Sequence, residues 1–212
     1  MNDRLGNGSS MSPADGRDWP ALEIVRFEVV AERRRALVDG HLPARRAIRG
    51  VSPPGALWSR LAHLGRQRWV EVVAWERRST FDRALELSQD EPTAREWFEL
   101  AEPGWTIEVA RLVVAPLPPP PRHGHLEISS HGLFWRRVSA SGAWTIRGEG
   151  YGRKLVDPDG WFETTRRNVS LTVTAGGASE TGIRSPLRSK ESREGGQIID
   201  AIDAREEQVP LQ

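Results

Sequence analysis

Between Arg68 and Glu76 the chain reads RWVEVVAWE, a period-two alternation that sets Trp69, Glu71, Val73 and Trp75 on one face of a strand and Val70, Val72 and Ala74 on the other. The small aliphatic face suits packing under helices. The mixed face, with its tryptophans and a carboxylate, suits a cavity or a partner surface. Leu22 to Val30 shows a similar asymmetry, with Val25, Phe27 and Val29 set against Ile24, Arg26 and Glu28. Ala56 to Leu64 and Trp105 to Val114 read as two further strands, and Gly65-Arg66-Gln67 is short enough to join the second to the third as an antiparallel hairpin. The remaining pattern is helical. Ala31 to Arg49 offers Ala36, Leu37, Ala47 and Ile48 as core positions, but Gly40 and Pro43 predict two pieces with a break near His41, which places that histidine in solvent. After Glu76, Ser79 is a helix cap ahead of Phe81, Ala84 and Leu85, and Pro92 restarts the helix toward Trp97, Phe98 and Leu100.

The resulting order, β-α-β-β-α-β, predicts an α+β class and a ferredoxin-like domain over residues 21–115, a four-stranded antiparallel sheet with both helices on one face. The other face would carry Trp58, Trp69, Val73 and Trp75, an apolar patch that soluble monomers rarely keep exposed. A homodimer closed through its two sheets, with a cavity between them, is the expected remedy: a dimeric α/β-barrel.

Pro116 to Arg122, PLPPPPR, is a Pro-rich linker that ends this domain. Residues 123–174 hold several short apolar runs separated by turn signals and predict a small β-meander, with Gly148-Glu149-Gly150-Tyr151-Gly152 as a flexible connection within it. Residues 1–20 and 175–212 are rich in Gly, Ser and charge and are expected to be a disordered lead and a disordered tail, the latter with at most a short helix at Gln197 to Glu207.

Composition removes several function classes. A net charge of +1 over 212 residues gives no polyelectrolyte attraction, so nucleic acid is not an expected partner despite arginine doublets such as Arg45-Arg46 and Arg77-Arg78. The absence of cysteine excludes disulfides, thiolate catalysis and Cys-ligated zinc. No apolar run approaches the roughly 20 residues of a spanning helix and no hydrophobic signal core stands at the start, which predicts a cytoplasmic protein with no membrane partner. His123, His125 and His131 put two imidazoles at HxH spacing, but no carboxylate completes a set, and neither a metal nor another cofactor is expected.

The run RWVEVVAWERRSTFDRALELSQDEPTAREWFEL followed by TIEVARLVV resembles the antibiotic-biosynthesis-monooxygenase-like families of dimeric α/β-barrel proteins, in which a strand ends in Trp, a short polar link follows, and a helix opens with an aromatic or alanine. Here Trp75, Glu76 to Thr80 and Phe81 match that pattern, and the resemblance covers roughly residues 21–114. Such families include cofactor-independent monooxygenases for aromatic or polyketide-like molecules, haem-degrading enzymes and many proteins without known activity, and each is what the resemblance implies. The haem-degrading branch uses an Asn on the first strand and a Trp and a His on the second helix. IVRFEVV has no Asn, Ala84 stands near the Trp position, and no His lies between Arg68 and Val114, which argues against that branch.

For the oxygenase reading the resemblance asks the protein to hold a flat ring and stabilise negative charge. Trp58 and Trp69 are the candidate substrate-binding residues. Arg60 would stabilise an enolate and Glu71 would move a proton, with His63 as the weaker alternative. Each side chain also has a structural reading: tryptophans as interface, and Arg60 with Glu71 as a cross-strand ion pair. A non-catalytic dimeric binding or interaction module therefore stands beside the enzyme, and the presence of a pocket around these four residues separates the two.

Overall fold

A computed structural model of the chain describes residues 18–52, 54–112, 119–131, 143–157, 160–174 and 192–203. Most of the expected lead (1–17), part of the linker (116–118) and the tail segments 175–191 and 204–212 lie outside the described residues. The four strands read from alternation form as β1 (Ala21–Glu28), β2 (Ala56–Gly65), β3 (Arg68–Trp75) and β4 (Thr106–Leu112), with helices α1 (Arg34–Val51), α2 (Arg78–Ser88) and α3 (Pro92–Phe98) between them. Their order in the sheet is β4-β1-β3-β2, every pair antiparallel, which is the ferredoxin-like arrangement.

The second part of the chain adds β5 (His125–His131), β6 (Ala143–Asp157), β7 (Gly160–Thr174) and β8 (Ser192–Asp203), and together the eight strands close a barrel in the order β1-β3-β2-β8-β5-β7-β6-β4. Taken alone, the second four lie as β8-β5-β7-β6. In each set the fourth strand lies beside the first, then the third, then the second, so one topology occurs twice in one chain. The seams, β2 with β8 and β4 with β6, each join a second strand to a fourth.

This closure changes three expectations. The sheet face that a homodimer was expected to cover is covered by strands of the same chain, which leaves no bare face for a sheet-to-sheet dimer among the described residues. Residues 192–203 form a strand instead of unstructured tail or helix, because a place between β2 and β5 pairs both edges of a segment with few apolar residues. Gly148 to Gly152 lies within β6, with a register shift between Gly150 and Gly152, rather than forming a loop.

Two cores result. One lies between helices and sheet and includes Val25, Phe27, Leu37, Trp69, Trp75 and Trp97. The other fills the barrel with Leu22, Ile24, Trp58, Val72, Leu126 and Ile198, among other aliphatic residues. Face assignment on β3 is the reverse of the expectation: Trp69, Glu71, Val73 and Trp75 face the helices, while Val70, Val72 and Ala74 face the barrel interior. Both faces of β3 are buried, so alternation alone does not say which is which. The interior of an eight-stranded barrel is just wide enough for side chains, and small aliphatics suit it better than tryptophans.

Helix α1 runs unbroken through Pro43. Pro43 and Asp39, whose carbonyl loses its bond to the missing N–H, are both exposed, so water satisfies the orphan. Gly40 serves close packing instead of a break: a Cβ there would stand 2.9 Å from Cδ1 of Trp97. Asp18 and Trp19, expected in the lead, are also engaged. The Asp18 carboxylate accepts from the backbone N–H and hydroxyl of Ser79 at the start of α2, and Trp19 is buried.

The β2–β8 seam depends on one glycine. A Cβ at Gly196 would lie 2.1 Å from the backbone oxygen of His63, an atom that cannot yield without moving β2. Gly196→Ala is expected to cost about 3 kcal/mol, measured as a lowered urea midpoint at unchanged slope.

Candidate functional site

Among the described residues, the buried ionisable side chains on the helix-facing side gather in one cluster. On α1 the inward stripe is Leu37, His41, Ala44, Arg45 and Ile48, so two ionisable side chains one turn apart point at the sheet. Beneath them β3 supplies Glu71, β2 supplies Ser59 and β8 supplies Asp200. Asp200 owes its direction to a bulge: Leu61 pairs with Asp200 and the next residue, Ala62, with Ile198, which leaves Ile199 without a partner in β2. Ile198 and Ala201 both belong to the barrel interior, an odd spacing that strict alternation forbids, and Asp200 is thereby turned toward α1.

His41 is fully buried and sits between two carboxylates, Nδ1 at 2.8 Å from Asp200 Oδ2 and Nε2 at 2.7 Å from Glu71 Oε1. Arg45 donates from Nε to Glu71 Oε1 at 2.6 Å and adds an ion pair to Oε2, and the Ser59 hydroxyl donates to Oε1 at 2.9 Å. Ionised carboxylates are acceptors only, so with Asp200 and Glu71 ionised each short contact calls for a ring N–H, the arrangement of an imidazolium. Burial alone would lower the pKa of His41, but the hydrogen bonds to Asp200 and Glu71 outweigh it and hold it above the ordinary value. For Glu71 burial pushes upward and is overcome by Arg45 and then His41, leaving it well below the usual carboxylate range. Asp200 is likewise lowered, its partial burial outweighed by His41. Nearby Glu23, which accepts from Trp75 Nε1 at 2.9 Å, is raised by burial against the pull of Arg45, with the charge of Glu71 pushing the same way as burial.

The alignment Asp200–His41–Ser59 has the members of a hydrolytic triad without its chemistry. Nε2 lies 3.1 Å from Ser59 Oγ, yet that nitrogen is a donor and the hydroxyl proton is directed at Glu71, so no base faces the serine. The Trp97 indole stacks on the imidazole at 5.5 Å and closes it from above, donating from Nε1 to the Leu37 carbonyl at 2.7 Å.

The four residues singled out from sequence are not brought together. Arg60 and Trp58 face the barrel interior, whereas Glu71 and Trp69 face the helices. The expected Arg60–Glu71 cross-strand pair does not form, because Glu71 lies opposite Leu61 and Arg60 opposite Val72. Arg60, fully buried, donates to the carbonyls of Ser59 (2.7 Å), Pro120 (2.6 Å), Pro121 (3.3 Å) and Ile202 (3.1 Å) and to Asp203 Oδ1 (2.9 Å). Those five bonds match the five N–H groups of a guanidinium. Trp58 lies beneath it, ring centre 5.7 Å away, and His63 packs at a tilt against Trp69 with ring centres 4.7 Å apart, away from both clusters. Sequence reading missed His41, Arg45, Ser59 and Asp200. The stripe through Leu37, Ala44 and Ile48 passes through His41 and Arg45, a signal that was present; Asp200 carries none.

Two clefts flank the helical layer. One, between the end of α1 and the start of β2, is lined by Arg45, Ile48, Arg49, Ser52, Gly55 and Trp75 and has about 10 Å³ of free room, space for one water. The other is walled by Phe27, Leu37, Trp97, Phe98, Ala101 and Trp105, with Phe98 and Trp105 stacked 5.7 Å apart, and is closed.

No protein-family model matches the sequence, and no curated protein matches it. Solved structures do. The putative monooxygenases of Fusobacterium nucleatum and Lactobacillus acidophilus superpose with TM-scores of 0.53 and 0.50, covering 87% and 88% of this chain and 94% and 97% of theirs, at 9% and 11% identity. An anthrone oxidase-like protein superposes with a TM-score of 0.54 over 92% of this chain and 98% of its own, at 8% identity. The likeness is one of fold. It extends over nearly the whole length of each neighbour, second half included. Among the described residues no helix is long and apolar enough to cross a membrane.

Proposed function

We propose that the protein is a cofactor-independent monooxygenase for a flat aromatic or polyketide-like molecule, with its site against the helical layer rather than inside the barrel. The fold neighbours support the class of reaction, since their names are those of monooxygenases and an anthrone oxidase-like protein. The candidate place for the ring is the aromatic cleft of Phe27, Trp97, Phe98 and Trp105, which has no free room as it stands, so binding requires the stacked Phe98 and Trp105 to part. Molecular oxygen is the oxidant and the deprotonated substrate the reductant, so the protein's task is to bind, orient and stabilise charge. The second reading, a non-catalytic small-molecule-binding or interaction module, draws on the full engagement of Arg60 and the sealing of His41.

Oxygen uptake by purified protein with anthrone and hydroxynaphthalene-type substrates, without added cofactor, separates the readings. The enzyme is expected to exceed the uncatalysed rate, and Trp105→Ala, at the half-buried rim of the cleft, to lower kcat/KM by about tenfold, or about 1.4 kcal/mol of transition-state binding. No uptake above the uncatalysed rate, or equal rates for the two proteins, would remove this proposal in favour of the second reading.

A further inference from the structure

The buried cluster joins parts of the chain that are distant in sequence. His41 lies on a helix of the first half and Asp200 on the last strand of the second, 159 residues on. We propose that His41 is a protonation-dependent latch: as an imidazolium it ties α1 to β3 and β8 together, and on losing its proton it lets go of Asp200 and loosens β8 locally at the Ile199 bulge.

A neutral imidazole has one N–H and one lone pair, so it can bridge only one of the two carboxylates, and the other then faces a lone pair at hydrogen-bonding distance. Which bridge survives follows from what else each carboxylate has. Glu71 is fully buried and also bound by Arg45 and Ser59; leaving it short of a donor in a dry site is costly. The Asp200 side chain is 31% exposed and accepts from the N–H of Ala201, so water can replace His41 there. Deprotonation therefore keeps Nε2–H on Glu71 and opens the contact to Asp200.

Every element packed around the ring contributes to this balance. Helix α1 brings Arg45, whose charge opposes protonation of His41; β3 brings Glu71, which favours it; β2 brings only the Ser59 hydroxyl and α3 only the Trp97 indole. Strand β8 brings Asp200, itself influenced by Arg122, and β1 brings Glu23, which acts through its proximity to Glu71 and Arg45. The bulge at Ile199 supports a dedicated role. It interrupts the β2–β8 ladder and leaves Ile199 42% exposed, and its effect is to aim Asp200 at His41.

The test needs no substrate, so it stands or falls separately from the oxygenase assignment. Nitrogen-detected NMR of the His41 ring in the full chain is expected to show both nitrogens protonated at pH 7, with a midpoint above the ordinary 6.5. Asp200→Asn, at a part-exposed position, is expected to lower that midpoint by about one unit, a tenfold loss of proton affinity. In wild type, hydrogen exchange of the β8 amides, corrected for intrinsic pH dependence, is expected to rise as pH passes the His41 midpoint, and the step to vanish in the variant. A neutral His41 at pH 7 in wild type overturns the proposal by itself, whether or not the variant folds. An unchanged midpoint in Asp200→Asn, or corrected exchange in wild type that ignores the midpoint, also overturns it.

Discussion

Glu71→Gln is expected to lower the stability of the protein by about 3–5 kcal/mol, the cost of leaving a buried charge without its counter-ion. The substitution keeps the shape of the side chain and removes the negative charge that Arg45 and His41 share beneath α1. Urea denaturation at pH 7 would show it as a lower midpoint at similar slope. Arg45→Gln should be comparably damaging, and the double variant clearly less damaging than the sum, because the second change removes a charge that the first left unpaired. A sum that is strictly additive would mean that the two groups do not depend on each other. The cluster also fixes the sign of the pH response. His41 is raised, so its stabilisation is complete below its ordinary 6.5 and is lost as pH rises through the higher folded value. Glu71 and Asp200 are lowered, so theirs is complete above their ordinary 4.5 and 3.8 and is lost as pH falls through the lower folded values. The cluster therefore contributes most between those two limits.

Arg60→Ala should be as severe, again about 3–5 kcal/mol, through a different loss. It leaves Asp203 to the more distant Arg122 and strips a donor from each of four carbonyls, two of them in the proline-rich segment and one at the end of β8. Arg60→Lys should recover little, since three donors on a flexible stem cannot replace five in a plane. The distinguishing readout is local: proteolysis near Arg122 should accelerate in Arg60→Ala more than in Glu71→Gln matched for overall stability. Equal cleavage would mean that Arg60 does not hold that segment down.

The strands and helices of residues 21–112 were legible because each alternates or repeats over a full element and is bounded by a strong turn, such as Gly65-Arg66 or Pro103-Gly104. What alternation could not supply was direction. Trp69 and Val70 are both buried, so nothing in RWVEVVAWE marks which face meets helices and which meets the barrel. Arg60 and Glu71 were assigned to one imagined face because they stand on neighbouring strands, yet a Gly65-Arg66-Gln67 connection carried through in register sets Leu61 opposite Glu71 and Arg60 opposite Val72, on opposite faces. His41 was hidden by Gly40 and Pro43, whose ordinary meaning, a break, was cancelled by the need to admit Trp97 and by an exposed Asp39 carbonyl. Strand β8 was hidden by composition. SREGGQIIDAID has few apolar positions, because one place in it needs glycine for close approach and another needs a carboxylate for a histidine far away.

That strand has a consequence for how the chain folds. Asp203 meets Arg60 across 143 residues of sequence, and β8 lies between β2 and β5, so the barrel cannot close until nearly the whole described chain has left the ribosome. Until then β2 and β5 each present an open edge, and the aliphatic interior around Trp58 is uncovered. Long-range pairing of this kind is slow, since loop entropy must be overcome before any contact repays it. Shortened chains that lack β8 are therefore candidates for aggregation or chaperone capture, and the final dozen described residues act as the folding checkpoint for all that precede them.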